Sequence, residues 1–302
     1  MMRGHGGRTA LCMAMALMFI APLSPAQEKQ MDGIPYPALD GGNDTQYWAV
    51  IIATGSETRD ATDVNDLRTT LIGHGWKEGN IKLLIEEEAT KEEILTTPFE
   101  WLNESGADAD DVILFFFSMH GEQMEDQQPL DEPDGMDEYL IPYDYDRESG
   151  NNSMVDDELS VAFDGLRSRN IVIIFETCHS GGMIDGTEDL GKGGRVVLMS
   201  CAADESSGPL FIKKRWLFPY YLIKGMKGDA DANGDGWVSA EESFYYAEIP
   251  TILRSSLLSL IFLLHPFVRL RPQHPQIYDG WPSQENSGAQ LKLVNLSWRK
   301  VL

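Results

Sequence analysis

The chain has 302 residues, 48 of them acidic and 24 basic, for a formal net charge of −24. That balance argues against polyanionic partners, so neither nucleic acid nor contact with an anionic membrane surface is expected, while cations such as Ca2+ are favoured. A chain of this length with 42% apolar residues can bury the core of one large α/β domain.

The first segment reads as an export signal. Arg3 and Arg8 precede an apolar run, Ala10 to Ala21, that is too short for a permanent span. Ser24 and Ala26 then stand at −3 and −1 of a cut after Ala26. Cys12 precedes most of the apolar run, so it is not a lipid acceptor. Residues 1–26 are expected to be removed and the protein to be secreted or periplasmic. The mature chain would hold 276 residues (302 − 26) and, without Arg3 and Arg8, a charge of −26. Residues 27–44 read as a linker.

Strand and helix signals alternate from there. "QYWAVIIA" (46–53) reads as a strand, and Ala61, Val64, Leu67 and Leu71 share one face of a following helix that Gly73 and Gly75 end. "NIKLLI" (80–85) is a second strand. Thr90 and Glu93 have capping-box spacing at the start of a helix that Pro98 is expected to bend or restart. "DVILFFFS" (111–118) is apolar throughout, as a central strand covered on both faces would be. Residues 122–158 hold fourteen acids and one base, Arg147, and read as a long functional loop with a hairpin. "DDELSVAFDGLRS" resumes helical spacing, "NIVIIFETC" and "GRVVLMSC" (194–201) are two further strands, and "FPYYLIKGM" is helical. Such alternation predicts βαβ units and a mostly parallel sheet. The apolar segment 256–264 reads as a buried helix, too short to cross a bilayer comfortably.

Two strands end in reactive residues. "FFFSMHGE" (115–122) closes on His120 and Gly121, and "IVIIFETCHSGG" (171–182) on Cys178 and paired glycines. Parallel strands bring their C-terminal ends to one sheet edge, so His120 and Cys178 can meet across 58 residues (178 − 120). A nucleophilic thiol needs such an imidazole, and backbone N–H groups of a glycine-rich turn can face a developing oxyanion. His179 is a poor base, because neighbours on a strand point to opposite faces. Competing readings are a Cys178–Cys201 disulfide, a zinc site, and a merely buried cysteine.

These two blocks resemble the His-Gly and Cys blocks of the caspase-like cysteine peptidases, and "DGMDEYLIPYDYD" (134–146) resembles the metacaspase segment between them. "SCAADESS" and "GSETRDATDV" are similar to legumain segments, although Glu57 stands where legumains place an asparagine. The resemblance implies a caspase-like α/β/α sandwich and a His120/Cys178 dyad with Gly121 in the oxyanion hole. It also implies a peptide or protein substrate. Glu176 shares the nucleophile's strand face and would act in the S1 pocket. Asp204 would add a second acid and favour Arg or Lys at P1, and Arg59, if it reached the pocket, would favour Asn. The family's regulatory calcium would be held by Asp144, Asp156, Asp157 and Asp185. A catalytically silent calcium-binding protein and a transamidase or ligase with the same acyl-enzyme are the rival readings.

A second calcium motif is read directly. "DANGDGWVSAEE" (231–242) fits the EF-hand loop: Asp231, Asn233 and Asp235 at positions 1, 3 and 5, Gly236 at 6, the Trp237 carbonyl at 7, Ser239 at 9 and Glu242 at 12. The expected organisation is a peptidase domain over 45–228, the calcium loop with its exiting helix over 229–250, and a C-terminal extension over 251–302 packing on the domain. The basic run Lys213-Lys214-Arg215 is a candidate self-cleavage site.

Overall fold

Short apolar runs separated by amphipathic segments become the strands and helices of a three-layer fold. The computed structural model describes residues 45–55, 58–127, 130, 132–186, 189–262, 271–282 and 289–298. The expected signal peptide and linker, and Glu57, lie outside the described residues. β1 (Tyr47–Ala53), helix α1 (Thr58–Gly73), β2 (Ile81–Ile85), α2 (Lys91–Glu104) and β3 (Val112–Ser118) come first. The acid-rich segment is a hairpin, β4 (His120–Glu125) against β5 (Met136–Ile141), extended by β6 (Met154–Val155). Then follow α3 (Asp156–Asp164), β7 (Asn170–Glu176) and β8 (Arg195–Met199). A ribbon of β9 (Pro209–Leu210) and β10 (Arg215–Trp216) leads into α4 (Leu217–Lys224), β11 (Trp237–Ser239) and α5 (Ala240–Phe262). β12 (Gln276–Asp279) and β13 (Lys292–Asn295) complete the described strands.

The central sheet has six strands in the order β12-β8-β7-β3-β1-β2. Five are parallel and β12 runs antiparallel to β8. α2 packs with α3 in one helical layer, while α4 contacts both α1 and α5 in the other. This is the caspase-like α/β/α sandwich.

β3 is central, as its unbroken apolar sequence requires: all seven of its residues are buried. Phe115 stacks on Phe117 and meets Phe163 of α3 at 4.6 Å and Phe99 of α2 at 5.4 Å between ring centroids. Removing a fully buried ring of this kind costs about 3–5 kcal/mol. Thr90 caps α2 as its spacing implied, its hydroxyl accepting the Glu93 N–H at 3.3 Å. Pro98 lies inside α2 without dividing it.

One expectation, the burial of the apolar segment, is corrected at the C-terminal side. The 251–302 extension is woven into the domain, since α5 runs through Pro250 unbroken, β12 becomes a sheet strand and β13 pairs with β11. Of the apolar segment 256–264, residues 256–262 are helical and the last two lie outside the described residues; Leu257, Leu260 and Ile261 are 48%, 66% and 61% exposed rather than buried. No helix among the described residues is long and apolar enough to cross a membrane.

Candidate active site

Strand register builds the site. Ser118 and Glu176 are paired at the ends of β3 and β7, and the Met119 N–H donates to the Glu176 carbonyl at 3.3 Å. His120 and Cys178 each lie two residues further, so both emerge at the C-terminal edge of adjacent strands. They line one cleft of about 40 Å3 with Asp60, Glu176, Ser207 and Trp216. Gly121 makes the approach possible: a Cβ there would stand 2.2 Å from Thr177 Oγ1 and 2.6 Å from the Cys178 carbonyl oxygen.

The turn after the thiol is rigidly tied. His179 adopts a left-handed conformation (φ 62°), its N–H donates to the Glu205 carbonyl at 2.8 Å, and Nδ1 lies 2.7 Å from the Ala203 carbonyl. It anchors the turn and does not line the cleft. A Cβ on Gly181 would stand 2.6 Å from the Ala203 nitrogen, so this glycine lets the turn press against the 200–205 segment. Cys178 and Cys201 are both free, which removes the disulfide reading. Cys201 is fully buried, its thiol facing the carbonyls of Thr177 and Glu205 at 3.4 and 3.3 Å, and burial pushes it up to about 12. Burial also raises the Cys178 thiol, with Glu176 and Glu122 adding repulsion, against the lowering contacts of the Ser207 N–H and Ser206 hydroxyl. A thiol raised in this way needs a base to ionise it.

Two acids, not one, stand beside the dyad. Glu176 is 3% exposed; one carboxylate oxygen accepts the Ser207 hydroxyl and the other, Oε2, is buried without a partner. Burial holds its pKa well above the usual carboxylate range. Asp60, at the entry of α1, supplies the second acid, its Oδ1 accepting from Ser118 Oγ and Trp216 Nε1, each at 2.7 Å. Sequence reasoning missed Asp60; its position just past the C-terminal end of β1 was the available signal. Asp204 is exposed and lines a neighbouring cavity with Ser206 and Arg271. The Arg59 guanidinium lies over the Trp216 and Phe211 rings, 5.3 and 6.0 Å from their centroids, and does not line the cleft.

The four acids assigned to a regulatory calcium are not brought together as a set. Asp144 accepts the Lys91 N–H and the Asn152 amide, both at 2.9 Å, at the start of α2. Asp156 instead groups with Glu132 and Asp137, and Asp185 with Glu132 and Asp189, each trio having carboxylate oxygens within 4.8 Å of one another. Asp157 follows Asp156, donating its N–H to Asp156 Oδ1 at 3.1 Å, and belongs to neither trio. Asp156 is pushed up to about 10 by burial and by Asp189, Glu138 and Glu132. Glu138 rises to about 8 through burial and the charges of Asp185, Asp134 and Asp189. Asp156 Oδ2 and Glu138 Oε2 are buried without partners. Glu138 also presses on the turn after Cys178, since a Cβ on Gly182 would fall 2.0 Å from its carboxyl carbon. Glu132 and Asp137 were missed because acids crowd residues 122–158 with no local signal to separate them, and Asp189 because only the tertiary fold brings it to them.

The 231–242 loop folds through its own side chains. Asp231 accepts the Gly234 and Gly236 N–H groups at 2.9 and 3.2 Å, Asn233 that of Asp235 at 2.9 Å, and Asp235 that of Trp237 at 2.8 Å. Gly234 and Gly236 take φ of 74° and 82°, which a glycine adopts without steric cost. Ser239 and Glu242 form a reciprocal cap, and Glu242 Oε1 reaches the Ala232 N–H at 3.2 Å. Lys292 pairs with Asp235 at 3.0 Å.

Comparison with known proteins agrees with this geometry. Residues 60–187 match the model of the metacaspase, peptidase C14 domain. Metacaspase-1 of Candida albicans is 31% identical over 149 residues, covering 44% of this chain and 32% of that protein. Metacaspase-3 of Arabidopsis thaliana is 28% identical over 202 residues, covering 55% and 54%. The chain thus spans between about a third and about half of these relatives' length. Protein GSU0716 of Geobacter sulfurreducens, known from a crystal structure, shares the fold with a TM-score of 0.52 at 15% identity, over 77% of this chain and 92% of that one. The matched region runs from Asp60 through His120 to Cys178 and the turn behind it, so the stretch that builds the cleft is similar to the metacaspase peptidase domain and supports a caspase-like cysteine peptidase.

Proposed function

We propose that the protein is an exported, calcium-dependent cysteine endopeptidase that cleaves after Lys or Arg. The observation that carries this is the shared cleft: one thiol, one imidazole and two buried acids converge at the ends of adjacent strands. His120 takes the Cys178 proton as the thiolate attacks the scissile carbonyl carbon. The N–H groups of Gly121 and Cys178 face the oxyanion that forms. The imidazolium then protonates the leaving amine, and water, deprotonated by His120, releases the acyl group from sulfur. Glu176 and Asp60 recognise a basic P1 side chain, whose charge would meet two carboxylates removed from water. Asn at P1 would need Arg59 in the cleft, and that guanidinium lies instead on two aromatic rings.

Ca2+ is proposed at two places. Glu132, Asp137, Asp156 and Asp189, with Asp185 at the rim, offer hard oxygen ligands suited to it. The unpartnered oxygens of Asp156 and Glu138 support a cation there. Bound Ca2+ would neutralise acids that otherwise repel one another beneath the Gly182 turn. The 231–242 loop is the second, structural site. Self-cleavage is proposed after Lys213 or Lys214, which are exposed, while Arg215 is held by Asp63 and Asp66.

The test is hydrolysis of fluorogenic peptides bearing Lys, Arg or Asn at P1, with and without Ca2+, by wild type, Cys178→Ala and His120→Ala. Turnover by wild type alone, on basic peptides and only with Ca2+, is expected. A silent calcium-binding protein would turn over none of them, and a ligase would require an added amine acceptor.

A further inference from the structure

A second cleft lies at the edge of the sheet opposite Cys178, where β1 begins, α1 ends and the β11–β13 ribbon packs. It encloses about 260 Å3, against about 40 Å3 at the dyad. Its walls are aromatic: Tyr47, Trp76, Trp237 and Trp298. Tyr47 and Trp76 meet at 5.1 Å with their planes inclined by 51°, forming a corner. Trp76 is held by its Nε1–H, which donates to the Leu293 carbonyl at 3.0 Å. The Trp298 indole is 59% exposed yet seated on backbone, because Gly75 (φ 96°) has no Cβ to displace it; a Cβ there would stand 3.1 Å from the ring.

The polar groups select the ligand. His74 lines the cleft and is 8% exposed. Its Nδ1 lies 2.7 Å from the Thr70 carbonyl, which can only accept, so Nδ1 carries the proton. Nε2 is left as a buried acceptor with no partner. An O–H donor satisfies it. Asn80 stands at the same cleft, and Lys77 is tied to the Gln46 amide oxygen. Among the described residues no carboxylate lines the cleft, which disfavours a cationic guest despite the aromatic walls. Flat faces for ring C–H groups and an acceptor for a hydroxyl describe a neutral ring polyol.

We propose that this cleft is a saccharide-binding site, taking a pyranose unit between Trp298 and the Tyr47–Trp76 corner, with a hydroxyl donating to His74 Nε2. The site is independent of the peptidase reading. The test uses the full chain, with tryptophan emission and calorimetry as readouts. The probes are maltose, cellobiose and N,N′-diacetylchitobiose, and a glycoprotein alongside its enzymatically deglycosylated form, to separate free from protein-borne sugar. Saturable binding of a disaccharide or of the glycosylated form is expected, with an emission change. Trp298→Ala should weaken it about tenfold, the size of one good aromatic contact, and Trp298→Phe should restore most of the loss. His74→Phe, which removes the acceptor and keeps a ring, should weaken binding without moving the emission of the empty protein. Absence of binding to every sugar probe, equal binding by Trp298→Ala, or tighter binding of adenosine or tetramethylammonium overturns the proposal.

Discussion

Ser118 and Glu176 face each other at the last paired position of β3 and β7, and Ser118 also donates its hydroxyl to Asp60 at 2.7 Å. One strand pair therefore sets the spacing of the dyad two residues on and the position of both cleft acids. The chemistry and its specificity share a single rigid support.

The acids are expected to act on specificity. Glu176→Gln and Asp60→Asn should each lower kcat/KM for Lys and Arg peptides by about tenfold to a hundredfold, equivalent to about 1.4–2.7 kcal/mol. Reactivity of Cys178 toward iodoacetamide should persist in both. Asp204→Asn, which changes an exposed residue outside the cleft, should leave basic P1 preference in place. A peptide library profiled on the three variants checks this.

The two cysteines should separate cleanly. Cys201→Ser should retain substantial activity, and Cys178→Ser should retain almost none. Because burial and neighbouring acids raise the Cys178 thiol, alkylation of the peptide-free protein should still be climbing at pH 9. A plateau below pH 7 in the rate of iodoacetamide labelling would instead indicate a preformed thiolate–imidazolium pair.

Calcium and pH should be linked through the cluster around Asp156. Asp156, Glu138 and Asp185 are raised to about 10, 8 and 6, above an unfolded carboxylate value near 4. A raised acid binds its proton more tightly when folded. Calcium-free protein should therefore lose stability as pH rises from about 4 through these values, as each acid is forced to ionise. Ca2+ offsets that loss, so its effect on Tm should be larger at pH 8 than at pH 5.5, on the order of 5 °C at saturating metal. Asp156→Asn should abolish calcium-stimulated turnover. Scanning calorimetry at both pH values, with chelator and with calcium, provides the comparison.

The EF-type loop should report on stability instead of turnover. Glu242→Ala is expected to lower Tm and leave calcium-stimulated turnover intact. Lys292→Ala, removing the cation now on Asp235, should tighten calcium binding to the loop several-fold by calorimetry. An identical Tm for wild-type protein in excess chelator and in millimolar calcium would contradict both calcium assignments.

How much was legible in the chain follows from what each feature depends on. His120 and Cys178 announced themselves because each follows an apolar run and leads into a glycine-containing turn, a local pattern. The cap at Thr90 was likewise local. Asp60 was not legible as a cleft residue, because its role depends on how α1 leaves β1 and on Trp216 arriving from a distant ribbon. Asp144 and Asp137 lie in one acid-rich stretch with no local signal to separate them. The antiparallel register placing Glu138 opposite Gln123 aims the β5 acids at Asp156 and leaves Asp144 at the start of α2. The apolar residues of α5 read as buried because hydrophobicity was the only guide there, and composition does not say which face a neighbour covers.

The central claim is that Cys178 is a nucleophile activated by His120. The most direct measurement is mass mapping after treatment with a peptidyl acyloxymethyl ketone carrying Lys at P1, in the presence of calcium. A single adduct on Cys178, none on Cys201, and loss of labelling in His120→Ala are the predicted result. No adduct, an adduct on Cys201, or equal labelling of His120→Ala would contradict it.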